Sequence, residues 1–256
     1  LKSVPGVKKI FASPPRPANR PAPGAEAPSF PQQQRRAFDP QRYKHPWYIR
    51  SLQADQVWKK FGITGRGTLN VIHDFNFVFS ENLTDNLYRK SKEIPANGID
   101  DDKNGLIDDY HGYNFDADTA VLTNVAVPLN SSSPRGMHGF MCAAVVCGRG
   151  VPGKEYEFGI APESQWTGVI GAGRLENAVQ WSIEQGADTY SMSFSIPGLQ
   201  EYRSHWRKVM EHGSLCGVFF VSGAGNFAQT AELPVQMRTP EDIPEVVFAA
   251  AGVQRN

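Results

Sequence analysis

The chain has 256 residues, 40% of them hydrophobic and 20% charged, with 26 basic side chains balanced by 26 acidic ones. This composition is that of a globular protein and excludes a mostly disordered chain. The sequence contains no run of about 18 apolar residues, so it predicts no membrane-spanning helix, and its three cysteines are too few for a dense disulfide scaffold.

The first segment, residues 1–46, is a basic arm with nine Lys and Arg residues, two acidic residues and a net charge of +7. Residues 13–31 are rich in Pro and Ala, which predicts an extended chain with little to bury. Residues 47–256 carry a net charge of −7, which balances the charge of the arm. The arm is either a solvated tail or a segment that lies on an acidic surface of a partner protein. Nucleic acid is a weaker alternative, because the acidic domain would repel phosphate.

The cellular location has two interpretations. An odd cysteine count and a basic, acid-poor start favour an intracellular protein, and a mitochondrial one would fit a remnant of a targeting peptide. Secretion is the alternative, since Asn82 and Asn130 each begin a tripeptide that can accept an N-linked glycan.

From residue 47 onward, apolar segments alternate with amphipathic ones. The apolar segments are hydrophobic throughout instead of at every second position, which is typical of strands buried on both faces. Predicted strands cover residues 68–74, 164–170, 188–194, 216–222 and 245–252, and predicted helices cover 52–61, 139–148, 175–186 and 199–212. This order predicts an α/β domain over residues 47–256, with a mostly parallel sheet between two layers of helices.

An acidic loop, GIDDDKNGLIDD, lies in the polar region between residues 80 and 135. Oxygen-bearing side chains at alternate positions and a Gly at the turn are the pattern of loops that wrap a hard cation. His111 stands where an EF-hand has its bidentate Glu, so the loop is not an EF-hand. The predicted ligands for Ca²⁺ are Asp100, Asp102, Asn104, the carbonyl group of Ile107, and Asp108. The alternative is a solvated turn held by Lys103 and the Asn side chains.

A Gly-x-Gly-x-x-Ala pattern follows the predicted strand 216–222 and matches a dinucleotide-binding fingerprint. That fingerprint needs a helix directly after it to receive the pyrophosphate. Pro234 follows too soon for such a helix, and we therefore expect no NAD to bind.

Residues suited to acyl-transfer chemistry stand at the ends of predicted strands and at the start of a predicted helix. His73 and Asp74 end the first strand, His138 precedes a run of small residues, and Asn226 follows a later strand. Carboxylate, imidazole and amide are the orienting group, the base and the oxyanion donor of that chemistry. Because such sites lie at the carboxyl edge of parallel sheets, we expect these side chains to lie close together.

Several segments in the same order resemble the subtilisin-like serine proteases, the subtilase family. They are GRGTLNVIHDFN, NGIDDDKNGLIDDYHGYNF, GMHGFMCAAVVCG, FGIAPESQWTGVIG, ADTYSMSFS, FFVSGAGN and EVVFAAAGV. The resemblance covers residues 47–252 and implies a three-layer subtilisin-like fold. It also implies that His138 stands at the general-base position, Asn226 at the oxyanion position, and Ser193, Phe194 and Ser195 at the edge that pairs with substrate.

The sequence departs from the family pattern at several of these positions. His73 aligns with the catalytic Asp, so Asp74 is expected to point away from the site unless a bulge turns it. Phe75 adds bulk where the family has Gly, and Phe140 and Met141 replace Thr and His. Ser195 replaces a Gly, which narrows the wall of the pocket.

The nucleophile of the family lies in a G-T-S-M-A-x-P segment, and no such segment occurs in the 256 residues. The leading hypothesis is therefore a catalytically inactive subtilisin-like subunit with a structural or binding role in a larger assembly. One alternative is an active serine endopeptidase whose Ser lies beyond residue 256, and another is a calcium-dependent binding module. Without the segment that carries the Ser, the sheet is expected to expose an apolar face, which either further residues or another protein would cover.

Overall fold

The computed structural model describes residues 45–79, 81–123, 134–151, 154–195, 197–225 and 237–250, so the predicted arm lies almost entirely outside the described residues. The helices are α1 Trp47–Ser51, α2 Ala54–Phe61, α3 Glu81–Thr84, α4 Pro134–Cys147, α5 Leu175–Glu184 and α6 Arg203–Leu215, with 3₁₀ turns at Ala172–Arg174 and Pro197–Tyr202. The strands are β1 Leu69–His73, β2 Gly112–Asn114, β3 Arg149–Val151, β4 Lys154–Phe158, β5 Gln165–Ile170, β6 Thr189–Met192, β7 Phe219–Gly223 and β8 Val247–Ala250.

Six of these strands form one sheet in the order β2-β5-β1-β6-β7-β8. Every neighbouring pair in that sheet is parallel, and β3 and β4 form a separate antiparallel pair. Strand β1 lies in the interior and is buried at all five residues. This architecture confirms the predicted α/β fold class, in which the continuous apolar runs reflect burial on both faces.

Two hydrophobic cores lie on opposite faces of the sheet, because successive side chains of a strand point to opposite faces. Val71 belongs to the core that contains residues of α5 and α6. Its neighbour Ile72 belongs to the other core, with Phe77, Phe140 and residues of α4. The layer of α4 therefore covers the face of β1 to which residues 72 and 74 point.

The structure differs from the sequence prediction at several places. Strand β2 and the β3–β4 pair lie in segments that carry no continuous apolar run, so the pattern did not predict them. Cys216, predicted to start a buried strand, is an exposed residue at the end of α6, and β7 begins at Phe219.

Among the described residues, no helix is long and apolar enough to cross a lipid bilayer.

Candidate active site

A hydrogen bond joins the residue after β1 to the first part of α4. The Nδ1 atom of His138 lies 2.7 Å from Oδ2 of Asp74. The Asp74 side chain is fully buried, whereas 35% of the His138 side chain is exposed. The other carboxylate oxygen of Asp74 accepts a hydrogen bond of 2.7 Å from the backbone N–H of Phe75. A buried carboxylate that is held by two hydrogen bonds thus orients a partly exposed imidazole.

Close packing of α4 on the end of β1 produces this contact. A Cβ atom at Gly139 would lie 2.4 Å from the carbonyl oxygen of Asn76 and 3.1 Å from the Cβ atom of Asp74. Only a glycine permits such an approach, and it brings the preceding residue, His138, to the carboxylate.

His73 does not take part in this contact, which corrects the sequence alignment. Its ring is 1% exposed and shares a hydrogen bond of 3.0 Å with the hydroxyl group of Tyr190. It also packs edge-on against Phe194 at 4.8 Å between ring centres. The expectation that Asp74 points away from the site was wrong, because α4 covers the face of Asp74 and not that of His73.

The two histidines differ in pKa because their surroundings differ. Burial lowers the pKa of His73 from 6.5 to about 3. The hydrogen bond to Asp74 and a second one to Cys142 raise the pKa of His138 from 6.5 to about 10, against a smaller opposing effect of burial. His73 is therefore a neutral core residue, and His138 is a strongly basic one.

The predicted substrate edge follows β6. Ser193 and Ser195 are half-buried, and Phe194 is buried. The ring of Phe194 lies 5.4 Å from that of Phe75, which is 38% exposed and directly follows Asp74. The edge thus contacts the segment that carries the carboxylate. The remaining predicted site residue, Asn226, lies outside the described residues.

Comparisons with known proteins identify the family of this chain. The model of the subtilase family matches residues 72–254, which is more than half of the chain. This chain belongs to the subtilase family. A solved structure of MycP1 with its N-terminal propeptide removed resembles it at 17% identity and a TM-score of 0.45, covering 78% of this chain and 56% of MycP1. The search of curated proteins found no significant match.

The acidic loop of this subtilase brings two of the predicted calcium ligands, Asp100 and Asp102, close together, but it turns Asp108 toward another part of the loop. Both carboxylate oxygens of Asp108 accept hydrogen bonds from the backbone N–H groups of Asn97 and Gly98, at 3.0 and 3.1 Å. The two oxygens of Asp100 accept from the N–H groups of Asn104 and Gly105, at 3.0 and 2.8 Å. The loop is thus a set of side-chain-to-backbone turns.

The side chain that anchors this loop is Lys90, which the sequence analysis did not select. Its Nζ atom lies 2.7 Å from Oδ2 of Asp102 and 2.8 Å from Oδ2 of the buried Asp109. The indole N–H of Trp181 donates to that same Asp109 oxygen at 2.5 Å. The buried cation neutralises part of the acidic cluster and fixes the loop to the domain. The predicted role of Lys103 in holding the loop is therefore assigned to Lys90 instead.

Glu93 and Cys142 are two further residues that the sequence analysis missed as site candidates. Glu93 is 4% exposed, its Oε2 atom has no hydrogen-bond partner, and its carboxylate groups with those of Asp100 and Asp102. Cys142 is half-buried, and its Sγ atom lies 3.8 Å from Nδ1 of His138. The spacing of four residues between His138 and Cys142 on a helix could have indicated this contact.

Proposed function

We propose that this chain contains the base and orienting residues of a subtilisin-like serine endopeptidase, with His138 as the general base and Asp74 as its orienting carboxylate. The observation that carries the proposal is the 2.7 Å hydrogen bond between His138 Nδ1 and the buried Asp74. Family membership makes peptide hydrolysis the expected chemistry. The Ser nucleophile would come from a segment that is not among these 256 residues.

The roles follow from the geometry of the pair. In the neutral form of His138, which is the form that acts as a base, Asp74 accepts the Nδ1 proton and the lone pair of Nε2 is free on a partly exposed ring. That nitrogen would take the proton from the attacking hydroxyl group and return it to the leaving amine. Asp74 would stabilise the imidazolium that forms in between, because its burial strengthens the interaction between the opposite charges.

Two of the departures from the family pattern do not weaken this proposal. His73 is a core residue, and the carboxylate beside it already faces the base. Phe140 is 3% exposed and belongs to the core beneath α4, so its bulk fills the interior. Packing in the core explains both His73 and Phe140, so neither residue indicates a loss of activity.

An inactive subunit with a structural or binding role is the second candidate. The observation that favours it is the Cβ that Ser195 adds to the predicted substrate edge. In this case the Asp74–His138 pair is a retained structural contact, and the basic arm 1–46 is proposed to bind an acidic surface of a partner protein.

Labelling of the full-length protein with a fluorophosphonate separates the two candidates. We expect one Ser to be labelled in the wild type and in His205→Gln, and no labelling in His138→Ala. His205 is the matched control because it also pairs with a carboxylate, Glu176, at 3.3 Å on the surface. A folded full-length protein in which no Ser reacts would support the inactive subunit.

Calcium binding by the acidic loop is a further part of the proposal, with a different ligand set from the one predicted. The unpartnered Oε2 of Glu93 points to a site formed with Asp100 and Asp102, all within 4.8 Å of one another. Hard carboxylate oxygens suit Ca²⁺. The ion would add positive charge beside Glu93, whereas Lys90 forms its ion pairs with Asp102 and Asp109.

A further inference from the structure

We propose that Asp74, His138 and Cys142 form a binding site for a thiophilic divalent cation such as Zn²⁺. A carboxylate oxygen, an imidazole nitrogen and a thiol sulfur lie here within 4.8 Å of one another. These three donor types are the common protein ligands of zinc. The oxygen-only cluster around Glu93 is a site for a harder ion, so the two clusters differ in the metal they favour.

The distances between the donor atoms fit a tetrahedral zinc ion with little movement. Typical zinc–ligand bond lengths place a nitrogen and a sulfur ligand about 3.6 Å apart, and a nitrogen and an oxygen ligand about 3.4 Å apart. The observed separations are 3.8 Å from His138 Nδ1 to Cys142 Sγ and 2.7 Å from His138 Nδ1 to Asp74 Oδ2. Of these two pairs, the second has to open by about 0.7 Å.

The positions of the three side chains allow a metal to enter from solvent. His138 and Cys142 lie four residues apart on α4 and therefore on one face of the helix. His138 is partly exposed. Cys142 is half-buried and forms no disulfide, and the buried Asp74 lies beneath both side chains. Three protein ligands leave a fourth position for water, as in zinc sites that are open to solvent.

Metal at this site would switch off the base. A cation that binds Nδ1 displaces the proton there to water, and the remaining ring proton stays on Nε2. The thiol proton of Cys142 also passes to water. A protonated Nε2 accepts no proton from a nucleophile. This consequence for activity rests on the proposed function, but metal binding itself does not.

The test is equilibrium dialysis of the full-length protein against Zn²⁺, together with the absorption spectrum of the Co²⁺ form. We expect tight binding and a thiolate-to-cobalt charge-transfer band in the wild type. In Cys142→Ser the band should vanish, and the zinc affinity should fall by more than the roughly 10- to 100-fold that loss of an outer-shell partner causes. In Asp74→Asn the zinc affinity should also fall. Because this variant removes a different ligand, the test does not depend on the folding of one variant alone.

Cys216→Ser is the matched control. Cys216 also lies four residues after a histidine, with its Sγ atom 4.0 Å from Nε2 of His212, but no carboxylate joins that pair among the described residues. Three results would overturn the inference. They are no zinc binding by the wild type, unchanged zinc binding by Cys142→Ser, and an equal loss of zinc binding in Cys216→Ser. Zinc binding without fluorophosphonate labelling would contradict the proposed function alone, and labelling without zinc binding would contradict this inference alone.

Discussion

His73 and His138 lie near the same end of β1, yet their surroundings change their pKa values in opposite directions. His73 is enclosed by Tyr190 and Phe194, so burial disfavours its cationic form. His138 is held by a buried carboxylate, which favours the cationic form. The two side chains are of the same type, but their surroundings make His73 a neutral core residue and His138 a base.

The basicity of His138 gives the first prediction. The raised pKa, from 6.5 to about 10, means that the contact with Asp74 stabilises the fold fully below pH 6.5 and that this contribution is lost as the pH rises to about 10. In Asp74→Asn the carboxylate is absent, and the pKa should return toward 6.5. Titration of the His138 ring signals by NMR measures both values, and equal pKa values in the two proteins would contradict the account.

The pKa values of the buried histidines give the second prediction. Burial lowers the pKa of His73 to about 3 and that of His111 to about 4. Below pH 6.5 the unfolded chain binds protons that the folded protein excludes, so the free energy of unfolding should fall by up to about 1.4 kcal/mol per pH unit for each histidine. Urea unfolding between pH 7 and pH 4 should show a smaller loss in His73→Gln than in the wild type. An identical slope would show that His73 is not buried as described.

At the scale of elements, the contact between α4 and β1 determines the site. Gly139 lies against the backbone of Asn76 and the Cβ atom of Asp74, which leaves no room for a side chain. Phe140, the next residue, packs into the core on the same side of the sheet. The helix is therefore fixed to the end of β1 by residues that flank His138.

Gly139→Ala should separate the two elements, which is the third prediction. The added Cβ would lie 2.4 Å from the carbonyl oxygen of Asn76, so α4 must move and the His138–Asp74 hydrogen bond must lengthen. We expect a loss of about 1–3 kcal/mol in the free energy of unfolding, with a pKa of His138 closer to 6.5. Gly223→Ala is the control, because no atom of the described residues, apart from its chain neighbours, lies within 4 Å of the added Cβ. Equal stability of the two variants would contradict the packing.

The acidic loop gives the fourth prediction. Ca²⁺ at about 100 times its dissociation constant should raise the free energy of unfolding by about 2.7 kcal/mol. In Glu93→Gln the ion loses a ligand and the effect should be much smaller. Thermal unfolding with and without Ca²⁺ measures the difference. A control is Asp108→Asn, since Asp108 is turned toward Asn97 and Gly98. A calcium effect that depends on Asp108 and not on Glu93 would restore the ligand set predicted from the sequence.

The sequence predicted the central strands and helices well, because continuous apolar runs and amphipathic periodicity are local features. It also selected Asp74 and His138 from their residue types and positions. It could not decide between His73 and Asp74, since alternation says only that they face opposite sides and not which side α4 covers. Glu93 was missed because its burial depends on the folded loop, which no local pattern describes.

At the scale of the whole molecule, the parallel sheet places the ends of β1, β6 and β7 beside one another. Asp74, the predicted substrate edge and the segment before Asn226 follow these three strands. On β7 and β8, Phe219 and Phe248 are 56% and 61% exposed and lie 6.3 Å apart on the face opposite the buried Phe220. The described residues thus leave an apolar surface uncovered on these two strands.

The measurement that tests the central claim most directly is kcat/KM of the full-length protein on a peptide substrate, compared between Asp74→Asn and Glu176→Gln. Asp74 should be the orienting carboxylate, so its amide should reduce the rate by about 10⁴-fold. Glu176 pairs with His205 on the surface, and its amide should leave the rate unchanged. Equal rates in the two variants, or a wild type without hydrolysis, would contradict the assignment of Asp74 and His138 as a working catalytic pair.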